Sequence, residues 1–186
     1  LMVIYQKRIE FWPKYKNSSL NYLATDMYNY MQDKPEELYK GLTDIISQLG
    51  STTDMKTFPI YMKVACDLYK SDKLDPESVI ASYETAIKCL GGINTEGNEI
   101  KKKLVDKTVS DVESLFIASQ VANCENLIKL FTPRYEANPQ DLALAKTIAG
   151  MMAKTEDCTD NDLFINAMST WYSLEPSASA AYMLYK

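Results

Sequence analysis

Two prolines, Pro139 and Pro176, bracket the stretch that most restricts the fold of this chain. After Pro139 comes Asp141-Leu-Ala-Leu-Ala-Lys-Thr-Ile-Ala-Gly-Met-Met152, then a polar break, then Asp162-Leu-Phe-Ile-Asn-Ala-Met-Ser-Thr-Trp-Tyr-Ser-Leu174. Apolar residues recur three and four apart in both segments, so each predicts an amphipathic helix. The short polar connection makes the two helices antiparallel neighbours. One such hairpin leaves an apolar face uncovered, so further hairpins have to stack on it. Ala178 onward reads as the start of the next helix.

The rest of the chain repeats the pattern. Helices are expected over 1–12, 17–32, 35–49, 57–69, 76–90, 99–119 and 122–136, about ten in all with the organising hairpin and the opening after Pro176. Pro13 ends the first. Pro35 and Pro76 sit in first helical turns, where the missing N–H has no helical partner, and Glu36, Glu37 and Glu77 face the positive end of the dipole. Gly50 supplies a left-handed stop. The apolar stripes are Leu20, Leu23, Ala24, Met27, Tyr28 and Met31; Leu38, Leu42, Ile45, Ile46 and Leu49; Ile60, Tyr61, Val64, Ala65 and Leu68; and Val79, Ile80, Tyr83, Ala86, Ile87 and Leu90. Lys101, Lys102 and Lys103 oppose the dipole at the start of 99–119, which predicts a frayed or displaced start. Pro133 is expected to bend or end 122–136 early. Residues 91–98 form the least helical connection. The fold class is all-α, with no strand expected and with 1–186 as a single repeat domain.

Several chemistries are excluded or weak. The chain has no His, which removes imidazole catalysis, Ser-His and Cys-His pairs and His-ligated zinc. Cys66, Cys89, Cys124 and Cys158 form no Cys-x-x-Cys. Cys124 and Cys158 each precede a predicted second helix; idle thiols and a disulfide are both open, and loop geometry decides between them. Gly92 and Gly97 have the glycine spacing of a phosphate loop, but Asn98 and Glu99 stand where Lys and Ser or Thr are needed. Acid clusters at Glu36-Glu37, Asp75/Glu77 and Asp157/Asp160/Asp162 fall at helix starts and read as caps rather than metal ligands. Thr159 with Asp162 resembles a capping box. A net charge of −5 argues against general nucleic-acid binding, and no apolar run is long enough for a membrane span. No cofactor or metal is expected, and no enzyme activity.

The apolar–Ala pair recurs as Leu23-Ala24, Val64-Ala65 and Ile148-Ala149, at a spacing of about 42 residues or twice that. Tyr61, Val64, Ala65 and Leu20, Leu23, Ala24 match the first-helix pattern of tetratricopeptide repeats, and Ala145, Ile148, Ala149 match all but its bulky residue. Tyr83 and Ala86 match the second helix, as do Leu174 and Pro176 at its close. Met168 and Trp171 depart from it, and so does most of 91–120. On these residues the chain resembles tetratricopeptide-repeat (TPR-like) proteins, and its phrasing around Pro133 and Pro176 resembles those of the Bacteroidetes cell envelope.

The resemblance implies a right-handed α-α superhelix of stacked antiparallel hairpins and a protein-binding scaffold. In this family the first helices form a concave wall. By that register the partner-binding candidates are Asn21, Thr25, Tyr28, Asn29, Met62, Tyr69, Lys70, Lys146 and Lys154; Tyr28 also lies on an apolar stripe. The expected partner is a protein or peptide, and reversing Lys70 and Lys146 together is expected to weaken an acidic one. A glycan is the alternative, since thirteen Tyr offer rings for stacking. The cell envelope or periplasm follows from the resemblance alone, with the cytoplasm as the alternative. The start without Met and the unfinished helical pattern at Lys186 read as a piece of a longer protein.

Overall fold

The computed structural model describes residues 23–184 and the isolated position 3. Among these residues it is all-helical, with nine α-helices, one 3₁₀ turn and no strand. The helix expected over 1–12 and the first part of 17–32 lie outside the described residues. The chain divides into two compact units, with the boundary in sequence between Ser119 and Gln120.

The first unit holds α1 (Leu23–Tyr30), α2 (Pro35–Leu49), a 3₁₀ turn (Gly50–Thr52), α3 (Thr57–Lys70), α4 (Pro76–Gly91) and α5 (Glu99–Ala118). Helix α3 is its centre and packs on α1, α2, α4 and α5. This explains a difference from the periodicity. Phe58, Met62 and Cys66 are buried together with the expected Tyr61, Val64, Ala65 and Leu68, while Ile60 is only half-buried. A helix covered on several sides carries apolar residues around most of its circumference. Tyr39 stacks on Tyr61 with centroids 5.4 Å apart and shares a 2.7 Å hydrogen bond with Ser82 Oγ, which ties α2, α3 and α4 together. Burial pushes the Tyr39 phenol up to about 12. Tyr83 stacks on Phe116 at 4.4 Å, joining α4 to α5.

Local signals set most helix ends. Gly50 has φ 51°, the left-handed region that favours glycine, and its N–H donates to the Ile46 carbonyl. Gly92 does not stop α4 that way, since its φ is −81°. A Cβ there would lie 3.1 Å from Ser51 Cβ, where the 3₁₀ turn packs on the end of α4, so a larger residue would require Ser51 to give by a few tenths of an ångström. Asp75 caps α4 by accepting the Ser78 N–H at 2.7 Å. The start of α5 is not displaced: the helix begins at Glu99. Asn98 Oδ1 accepts the Lys101 N–H at 2.9 Å, and Glu99 in the first turn offsets the lysines.

The second unit holds α6 (Cys124–Ala137), α7 (Leu142–Met152), α8 (Asp162–Leu174) and α9 (Ala178–Leu184). Helices α7 and α8 form the predicted hairpin, with Ala145, Ile148, Ala149, Ala167 and Met168 fully buried. The cap of α8 is Asn161, not Thr159. Its Oδ1 accepts the Phe164 N–H at 3.0 Å and its Nδ2 donates to the Cys158 carbonyl at 2.8 Å. Pro133 does not end α6 early: the helix continues to Ala137, about where the periodicity placed its end. Its last turn is held from outside: Tyr135 OH donates to the Asn166 carbonyl at 2.9 Å and shares a 2.6 Å hydrogen bond with Thr170 Oγ1.

Cys124 and Cys158 are paired as a disulfide, with Cα atoms 5.0 Å apart. That separation lies within the range a disulfide spans. The bond ties the first residue of α6 to the α7–α8 loop, so α6 is fastened near both ends.

Candidate functional site

In the first unit α1, the start of α2 and the end of α3 enclose a groove of about 280 Å³. Leu38, Val64 and Leu68 make its buried floor, with Pro35 and Tyr28 beside them. Gln32, Asp67, Ser71 and Lys73 form its rim. The rim charges are compensated within the chain. Lys63 Nζ donates to Asp67 Oδ2 at 2.7 Å, and Lys73 Nζ lies 2.6 Å from Glu36 Oε1. Asp67 holds the Lys63 ammonium above its ordinary value, with Tyr28 nearby adding to the shift. The Lys73 hydrogen bond holds Glu36 below the usual carboxylate range. The groove therefore offers an apolar floor, one phenol and a polar rim.

The sequence-derived candidates divide as follows. Tyr28 lines the groove. Thr25 is half-buried and Asn29 exposed on the same helix, and Tyr69 is half-buried and Lys70 exposed at the end of α3. Asn21 lies outside the described residues. Met62 is fully buried and belongs to the core, because α3 is covered on the side the repeat register leaves open. Lys146 and Lys154 belong to the second unit. Lys146 Nζ pairs with Glu175 and lies 5.7 Å from the Trp171 ring centroid, so its charge is already engaged. Lys154 is exposed just beyond α7.

Asp67, Ser71, Lys73 and Gln32 were missed by the sequence reading. The register ranked positions on first helices alone, and Gln32, Ser71 and Lys73 stand in loops. The Lys63–Asp67 spacing of four was the available signal.

A second groove, of about 340 Å³, lies between α6 and α8 in the second unit. Ile128 and Leu163 supply its apolar part, and Tyr135, Glu136, Asp162 and Asn166 its polar part. No sequence-derived candidate lines it. Among the described residues no group of three or more Cys, Asp or Glu is arranged to hold a metal. Burial pushes the Cys66 thiol up to about 11, which keeps it in the unreactive protonated form near neutral pH. Among the described residues no helix is long and apolar enough to cross a membrane. Compared with protein-family models, curated proteins and solved structures, the chain matches none.

Proposed function

We propose that this chain is a non-enzymatic protein-interaction scaffold of tetratricopeptide-like, superhelical build that binds an extended peptide through the groove between α1 and α3. The observation that carries the proposal is the composition of that groove: the register candidate Tyr28 stands over the apolar Leu38–Val64–Leu68 floor inside a rim of paired charges. The stacked build is supported by the neighbours of α3. It touches both helices of the preceding pair, its own partner α4 and the following α5. Successive hairpins packed in series make those contacts. The Cys124–Cys158 bond supports an oxidising compartment, in keeping with a cell-envelope setting rather than the cytosol.

The test is a random-peptide display selection on the purified, immobilised chain, followed by fluorescence-polarisation titration of the selected peptides. Tyr28→Ala with Ser71→Arg removes the phenol and crowds the lip without touching the floor. It is expected to weaken the selected peptides by about tenfold or more, the scale of one interface anchor. Peptides that bind this variant as well as the parent chain would refute the site. A chain that selects no peptide but is retained on a glycan array would refute the partner class in favour of sugar binding.

A further inference from the structure

We propose that the Cys124–Cys158 bond is a reversible latch on the second unit, opened and closed by thiol exchange at the Cys124 sulfur and relayed by Asn161 to the start of α8, one wall of the groove between α6 and α8. The two cysteines are unequal. Cys158 is fully buried, whereas Cys124, the first residue of α6, is half-buried. A thiol therefore reaches the bond from the Cys124 side with the unit still folded. The core of the unit does not run through the bond. Ala145, Ile148, Ala149, Ala167 and Met168 are buried in the α7–α8 hairpin, and Tyr135 holds the other end of α6 to Asn166 and Thr170. Opening the bond releases the first turn of α6 and the α7–α8 loop and leaves the hairpin closed.

Asn161 is the relay. Its Nδ2 donates to the Cys158 carbonyl at 2.8 Å and lies 3.9 Å from Cys124 Sγ, and its Oδ1 caps α8 through the Phe164 N–H. The same residue lines the groove beside Asp162 and Leu163. One side chain thus touches both cysteines, the helix start and the groove wall. Charge selects the thiol. Glu125, Glu156, Asp157, Asp160 and Asp162 are exposed in the chain on either side of the two cysteines, against Lys129 and Lys154. An anionic thiol is repelled there, and one carrying an ammonium group is favoured. Exchange begins when a thiolate R–S⁻ attacks Cys124 Sγ. The R–S–S–Cys124 bond forms, the Cys124–Cys158 bond breaks, and the electron pair leaves on Cys158 Sγ, which takes a proton from water. A second R–S⁻ attacks the R sulfur of this mixed disulfide and releases R–S–S–R and the Cys124 thiol. Two small thiols are oxidised for each bond reduced, and the reverse sequence closes the latch. The proposal is independent of the groove between α1 and α3.

The test uses the full oxidised chain carrying Cys89→Ser, which leaves the buried Cys66 as the other free thiol. Cysteamine, 2-mercaptoethanol and glutathione are the probes, with acid quenching during reduction and peptide mapping. The first mixed disulfide is expected on Cys124 and not on Cys158. With each rate divided by that for a short unstructured cystine peptide, cysteamine should be at least about fivefold faster than glutathione at low salt, the scale of one close charge pair in water. High salt should shrink that ratio. Amide exchange of the reduced chain, measured well below its melting point, is expected to quicken at Phe164 and across 153–161 and to stay slow at the core of α7. Cys124→Ser with Cys158→Ser should show the same quickened exchange with no thiol present. A first adduct on Cys158, reduction that requires denaturant, or unchanged Phe164 exchange after reduction would overturn the proposal. So would equal loss of protection across α7 and α8, the mark of a staple whose removal unfolds the whole unit. Equal normalised rates for cysteamine and glutathione would overturn the selection by charge.

Discussion

Reducing the Cys124–Cys158 bond should destabilise the second unit far more than the first. The two cysteines are 34 residues apart in sequence. Closing a loop of that size removes about 3.8 kcal/mol of chain entropy from the unfolded state in the loop-closure treatment. The second unit spans Gln120–Lys186, and a domain of that size has only about 3–10 kcal/mol in total. One bond therefore supplies a large share of its stability. A change of that size corresponds to about 15–30 °C in Tm for so small a domain. The assay is thermal unfolding followed by circular dichroism, oxidised against reduced and alkylated, with Cys124→Ser/Cys158→Ser as the genetic equivalent. Cys89→Ser, which removes a free thiol, serves as the control. Intact mass and peptide mapping of the oxidised chain should show one linkage, between the peptides carrying Cys124 and Cys158. Four alkylatable thiols before reduction, or a Tm shift below about 5 °C on reduction, would refute the reasoning.

Three further outcomes are expected. Tyr83→Ala removes a fully buried ring stacked on Phe116 and should cost about 3–5 kcal/mol, read as a lower urea midpoint. Tyr135→Phe deletes the hydroxyl that holds the last turn of α6 to Asn166 and Thr170, and should cost about 1 kcal/mol by the same measurement, with faster amide exchange after Pro133. Asp75 is held below its ordinary value by the Ser78 N–H and hydroxyl, so its stabilising effect is present above the ordinary aspartate value of 3.8 and is lost as pH falls through the lowered one. Glu36 acts in the same direction through Lys73. Acid titration of stability should therefore show a loss from about pH 4 downward that Asp75→Asn makes shallower. Asp54 has the opposite sign: burial raises it, so its ionisation on going to neutral pH costs stability, and Asp54→Asn should flatten that component.

Much of the secondary structure could be read from the chain because its signals are local. Pro35 and Pro76 in first turns, Gly50 after Leu49 and the three-and-four spacing of Leu38, Leu42, Ile45 and Ile46 each act within a turn or two of helix. Their geometry is the same in any fold that contains the helix, so sequence by itself determined helix identity, most boundaries and one buried stripe per helix. Less of the groove could be read. Tyr28 was found through its register, but Gln32, Ser71 and Lys73 reach the rim from loops whose course no periodicity encodes.

Tertiary structure decided what depends on groups far apart in the chain. It closed a second side of α3, which moved Met62 and Cys66 into the core. It carried α6 through Pro133 by anchoring Tyr135 on α8, and it engaged Lys146 with Glu175 and Trp171. It also brought Cys124 to Cys158, choosing between two readings the sequence left open. The physical reason is the range of the interactions. Helix hydrogen bonds and caps join residues at most about four apart, whereas burial and side-chain pairing are set by whichever helix arrives alongside.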